Sequence, residues 1–187
     1  MQPVQQPLAI VPGTTYRDTV RLMQPVFAYR DVTAVAGAPA VLTVPAHGLV
    51  GDWPVWIRAV RGMPAINREP GTQPHRAEVV DENTLRINAL SADGLQPQGG
   101  ELIYRLPIDL TGASVAMVFE AGSETFSLTI GNGLTVPSPG TITRELTPEQ
   151  TELLVSGWTY RFDVTFSDGS IIRFFEGGQA AGGCACA

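Results

Sequence analysis

Trp158-Thr-Tyr-Arg-Phe-Asp-Val-Thr-Phe-Ser-Asp-Gly-Ser-Ile-Ile-Arg-Phe-Phe-Glu-Gly177 is the stretch that decides the fold class of this chain. Tyr160, Phe162, Val164 and Phe166 alternate with Thr159, Arg161, Asp163 and Thr165, the two-residue period of a half-buried strand. Asp168-Gly169 follows, and Ile171, Ile172 and Phe174 lie beyond it. Asp and Gly both tolerate positive φ, so the order strand, Asp-Gly, strand predicts a β-hairpin. Upstream, Thr147-Pro-Glu-Gln150 opens a short helix running from Pro148 to Leu154. Thr147 caps it, Pro148 suits its first position, and Gln150 completes a capping box. About two turns of helix cannot stand alone in water, so it must pack on the sheet.

Working outward, Leu106 to Phe119 extends the same β texture towards the N-terminus. Residues 34–104 differ. Five short apolar runs start at Ala40, Trp53, Ala77, Thr84 and Glu101, separated by turn formers such as Pro45-Ala-His-Gly48 and Gln98-Gly-Gly100. Such spacing predicts a small barrel or curled sheet. The loop Asn67 to His75, with Pro70-Gly71 and Pro74, reads as the mobile excursion of that region. A strand at Thr15 to Met23, interrupted by Pro25 and resumed at Val26 to Tyr29, has no local partner. Pairing it with the last third of the chain is the economical arrangement.

The expectation is an all-β protein: an immunoglobulin-like β-sandwich with one short helix and an inserted small β-barrel domain. Its segments are an extended arm at 1–13, the sandwich at 14–33 plus 105–178, the barrel at 34–104 and a Gly/Cys-containing tail at 179–187.

The chain has 187 residues, enough to bury a core, and a net charge of −6. All twelve basic residues are arginine, which excludes a Walker-type phosphate loop and any lysine-nucleophile mechanism. An acidic chain is a poor general binder of nucleic acid, so no direct nucleic-acid partner is expected. No apolar run reaches membrane-spanning length, and the N-terminus lacks the basic and apolar regions of a secretory signal. Cys184 and Cys186 are the only cysteines. Two ligands so close make no structural zinc site, which leaves incidental thiols, an interchain disulfide or a metal shared in an oligomer.

His47 and His75 are the only histidines, and no Gly-x-Ser-x-Gly elbow accompanies them. His47 reads as a turn residue and His75 as part of a polar loop. The carboxylates are scattered through turns and polar strand faces, and Asp81-Glu-Asn83 lacks calcium-loop spacing. No catalytic, cofactor-binding or metal-ligating residue is therefore assigned, no cofactor is implied, and the expectation is not an enzyme. Trp53 and Trp56 are either core filling or anchors of an interface, since tryptophan is enriched at binding hot spots. Arg58, Arg61, Arg68 and Arg76 are either a solvated strand face or a basic patch for an anionic partner surface. These six residues are the partner-binding candidates.

Asp109-Leu-Thr-Gly112, the Leu146-to-Leu154 helix and Asp168-Gly…Arg173-Phe-Phe-Glu-Gly177 resemble a module of tailed-bacteriophage structural proteins, the N-terminal domain of baseplate upper proteins. Pro45-Ala-His-Gly-Leu49, Gly51-Asp52, Val60-Arg-Gly-Met63 and Ile66-Asn67 resemble the small β module that phage proteins share with the first catalytic-cysteine half-domain of ubiquitin-activating enzymes. No catalytic cysteine is carried over. Together the two patterns cover most of residues 8–178. The resemblance implies a virion structural protein of the tail, baseplate or head–tail region, assembled in the bacterial cytoplasm, whose partners are other virion proteins and copies of itself. Two alternatives remain: a capsid decoration or fibre-adaptor protein, and a carbohydrate- or receptor-binding module meeting a host-surface glycan.

Overall fold

The computed structural model describes residues 2–180; Cys184 and Cys186 lie outside the described residues. The protein is all-β with one short helix. Its strands are β1 (Val4–Gln5), β2 (Tyr16–Arg21), β3 (Met23–Asp31), β4 (Ala34–Ala36), β5 (Ala40–Thr43), β6 (Asp52–Arg58), β7 (His75–Asp81), β8 (Thr84–Ile87) and β9 (Glu101–Pro107). They continue with β10 (Ser114–Ala121), β11 (Glu124–Ile130), β12 (Gly133–Ser138), β13 (Thr141–Leu146), β14 (Thr159–Thr165) and β15 (Ile171–Gly178), and α1 spans Pro148–Glu152.

The chain divides into two compact units. The first comprises the residues up to Leu22 together with those from Asp109 onward, and the second is Met23–Ile108. The divisions fall at 22/23 and 108/109, where the sequence had suggested 33/34 and 104/105. Pro25 sits in β3, an edge strand, inside the register shift between Met23 and Phe27, where a missing N–H breaks no ladder bond. The chain therefore runs on to Asp31 without a break. It does so in the second unit, because β3 pairs with β9 while β2 pairs with β13.

In the first unit the sheet order is β1-β15-β14-β10-β11-β12-β13-β2. Only two residue pairs, in parallel register, join β11 to β12. The alternation along β14 holds: Tyr160, Phe162 and Val164 are buried, and Phe119, Leu128, Leu134, Ile142 and Trp158 join them in the core. The β14–β15 hairpin closes with Gly169 at φ +82° and with the Asp168 carboxylate accepting from the Ser170 backbone N–H at 2.9 Å. At α1 both halves of the capping box are present. The Gln150 N–H donates to Thr147 Oγ1 at 3.3 Å, and the Thr147 N–H donates to Gln150 Oε1 at 2.9 Å. The helix is anchored by buried Thr151, whose hydroxyl donates to the Thr14 carbonyl at 2.8 Å.

The second unit is a curled sheet of order β3-β9-β6-β7-β8-β5-β4, with β3 and β4 as its edges. Its core is Leu42, Trp53, Val55, Ile57, Met63, Ile66, Leu85, Leu102 and Tyr104 with their neighbours. The Asn67–His75 segment, expected to be mobile, is pinned along its length. Asn67 exchanges two 3.0 Å bonds with the Val60 backbone, Trp56 Nε1 donates to the Thr72 carbonyl at 2.8 Å, and Arg68 donates to the carbonyls of Gln73 and Pro74 at 3.2 Å each. Turn-forming composition marked a loop here, and although most of its residues are exposed, its backbone is held by these bonds from Asn67, Arg68 and the sheet residue Trp56.

Candidate functional site

Trp53, Val55 and Ile57 of β6 point into the core, so Asp52, Pro54, Trp56 and Arg58 point outward. Residues directly opposite one another in an antiparallel pair share a face. Trp56 lies opposite Ile103, and Arg58 opposite Glu101; Ile103 in turn lies opposite Tyr29, and Arg105 opposite Phe27. The register of three strands thus gathers Phe27, Tyr29, Trp56, Arg58 and Arg105 on one outer face of the second unit.

The contacts on this face are specific. The Phe27 and Trp56 rings meet edge to face, with centroids 5.8 Å apart at 84°. The Arg105 guanidinium sits 4.6 Å from the Phe27 centroid, and that of Arg58 5.8 Å from the Tyr29 centroid. Each such cation–π contact contributes about 0.5–1 kcal/mol at an exposed site. Arg58 Nε also donates to Glu101 at 2.8 Å. Tyr29 remains 47% exposed. Arg105 Nε is buried without a hydrogen-bond partner. An aromatic cluster with stacked arginines on a rigid sheet has the composition of a protein-binding hot spot.

The sequence candidates separate on this geometry. Trp53 is fully buried, and its Nε1 donates to the Arg105 carbonyl at 2.7 Å; it supports the face from behind and offers nothing to a partner. Trp56 and Arg58 belong to the face. Arg76 lies opposite Pro54 on the same side of the sheet, but its guanidinium is engaged by Asp52. Arg68 is committed to its own loop. Arg61 sits beyond the end of β6 in a two-bond backbone bridge to Gln98. The four arginines do not form one patch. Phe27, Tyr29 and Arg105 were not singled out from the sequence, because they enter only through strand pairing.

Both histidines act as turn locks. His47 is fully buried; its Nδ1 accepts from the Leu49 N–H at 3.1 Å, leaving Nε2–H to donate to the Asp81 carbonyl at 2.9 Å. The Tyr104 hydroxyl donates to the His47 carbonyl. His75 Nε2 lies 2.8 Å from the Ile66 carbonyl, and burial pushes its pKa below the ordinary 6.5. The folded state therefore holds His75 neutral while the unfolded chain takes up a proton on acidification. That contribution to stability is complete above the unfolded value of 6.5 and declines as pH falls below it. A His75→Phe variant is expected to show a flatter dependence of the denaturation midpoint on pH below 6.5 than the parent.

Two further places in the first unit have charge. An open groove of about 460 Å³ is lined by Glu120, Arg161, Arg173 and Glu176. Its charges cancel: Arg161 pairs with Glu120, and Arg173 with Asp163 at 2.8 Å and Glu176 at 3.6 Å. The other is interior. Arg144 on β13 lies opposite Asp18 on β2, has no exposed side-chain surface, and pairs with the Asp18 carboxylate. Tyr16 donates to the same carboxylate at 3.0 Å. Burial and the Asp18 charge push the Tyr16 pKa up to about 12. Burial raises the Asp18 pKa, but the Arg144 charge together with hydrogen bonds from Arg144, Tyr16 and the Thr19 N–H outweighs it and holds the carboxyl below its ordinary value. Among the described residues, no group of three or more His, Cys, Asp or Glu side chains could hold a metal ion, and no helix is long and apolar enough to cross a membrane.

The chain matches no protein-family model, and no curated protein is significantly similar to it.

Proposed function

We propose that this protein is a non-enzymatic structural part of a tailed-phage particle, of the tail, baseplate or head–tail region, acting through contacts with neighbouring virion proteins and with copies of itself. The observation that carries the reading is the Phe27, Tyr29, Trp56, Arg58 and Arg105 face. Hot-spot residue types on a rigid strand scaffold suit docking to another protein. The bound histidines and the self-cancelling groove support it, since these polar groups already serve the fold. The phage context rests on the resemblance of the Asp109-Leu-Thr-Gly112 and Pro45-Ala-His-Gly-Leu49 patterns. The particle would be assembled in the bacterial cytoplasm.

The test is to image particles with a labelled copy. Label at a fixed position in the tail or head–tail region is the expected result, and a Trp56→Ala, Arg58→Ala double variant should fold but incorporate poorly. Particles without label contradict the reading, and label over the capsid surface favours a decoration role. The open aromatic pair Phe27–Trp56 also suits stacking on a sugar ring, which favours a host-glycan receptor module as a second reading. Glycan-array binding lost in Trp56→Ala would support that second reading, and an array without signal would remove it.

A further inference from the structure

The extended N-terminal arm is seated on its own chain. Val4 and Gln5 form β1 in parallel register with Phe175 and Glu176 of β15. The Gln6 N–H donates to the Glu176 carbonyl, and the Leu8 N–H donates to the Gly178 carbonyl, both at 2.9 Å. The Ala180 N–H returns a bond to the Leu8 carbonyl at 3.0 Å. Gln5 Nε2 donates to Glu176 at 2.6 Å, and the Tyr160 hydroxyl donates to the Gln6 carbonyl at 2.6 Å. Leu8 and Ile10 anchor the arm at 3% and 5% exposure. The seat fits a backbone closely: a Cβ on Gly177 would stand 2.6 Å from the Gln6 carbonyl oxygen.

We propose that the β15 edge is an exchange seat, in which the arm of a second copy of this chain replaces the chain's own arm. The inference rests on the reading of a self-assembling part. None of the seat's bonds depends on which chain supplies the arm, because they join a peptide strand to a sheet edge. The connection beyond Ile10 suits a hinge. Residues 11–15 are all exposed, Gly13 holds φ +74°, and Val11 and Thr14 close a turn with a 3.3 Å backbone bond. Redirecting that one turn frees residues 2–10, a reach of about 30 Å when extended. The bonds lost in one seat are regained in the other, so exchange adds association at little enthalpic cost. In the closed monomer the local arm prevails by effective concentration; once copies are held together, a neighbour's arm competes on equal terms.

The test places Gln5→Cys and Glu176→Cys, partners in the β1–β15 register, in a full chain with Cys184→Ser and Cys186→Ser. The chain is refolded at high concentration, oxidised, and its covalent mass read under denaturing conditions beside its native mass. Links between chains are the expected result. Links confined within single chains of a native oligomer overturn exchange and leave self-assembly standing; links within a native monomer overturn both. A second measurement covers misfolding of the cysteine variant. A copy with Leu8→Asp and Ile10→Asp loses its arm anchors, and a copy with Gly177→Val loses its seat. Exchange predicts a one-to-one complex found only in their mixture, and a mixture without it contradicts exchange.

Discussion

Asp18→Asn is expected to destabilise the first unit by about 3 kcal/mol, read as a lower denaturant midpoint at unchanged slope. The cost arises at the partner. Arg144 has no exposed side-chain surface, and two of its three guanidinium nitrogens, Nε and Nη1, are buried without a hydrogen-bond partner. Removing the Asp18 charge leaves a buried cation uncompensated. The lower end of the range for breaking a buried pair applies because the Asp18 side chain keeps 31% of its surface. At this chain length the expected fall in Tm is about 6–12 °C. The double variant Asp18→Asn, Arg144→Met should recover most of the loss, because an apolar side chain at 144 needs no counter-charge and joins Ile142 and Leu146 on the inner face. A double variant as unstable as the single one would show that the cost lies elsewhere. The pH dependence has a fixed sign. The Asp18 carboxyl is held below its ordinary 3.8, so its contribution is complete above that value and is lost as pH falls through the lower folded value. Asp18→Asn should remove that part of the acid sensitivity.

Trp53→Ala should cost about 3–5 kcal/mol, the range for emptying a buried tryptophan site. Trp53 is among the largest fully buried side chains, and its loss also strands the Arg105 carbonyl that its Nε1 bonds. The cavity lies directly behind the outer face, so Phe27 and Arg105 should lose their alignment as well. Trp56→Ala, three residues along the same strand, removes one edge contact and one bond to Thr72. It is expected to cost about 1 kcal/mol and to weaken partner docking out of proportion to that. Equal stability losses for the two variants would refute the inward and outward assignment on β6.

The contrast between these tryptophans shows where sequence reading stops. Strand period was legible, and so were the Asp168-Gly169 hairpin and the Thr147–Gln150 capping box, because each depends on residues a few positions apart. The inward or outward direction of β6 was not legible, since Trp53 and Trp56 are both large and apolar and only the paired strands say which parity faces the core. Arg144 went unremarked for a related reason. In Thr141-Ile-Thr-Arg-Glu-Leu146 it occupies the parity of Ile142 and Leu146, which signals an inward arginine, but a lone arginine among polar residues reads first as solvated. Phe27, Tyr29 and Arg105 are far apart in sequence and meet only through the β3–β9 register, which propensity does not encode. The arm's seat on β15 is another pairing of chain ends that local pattern does not reveal.

The most direct test of the central claim is the native mass of the purified full chain across a concentration series. A self-assembling particle component predicts a closed oligomer of fixed copy number that persists on dilution. A monomer at every concentration would contradict the account.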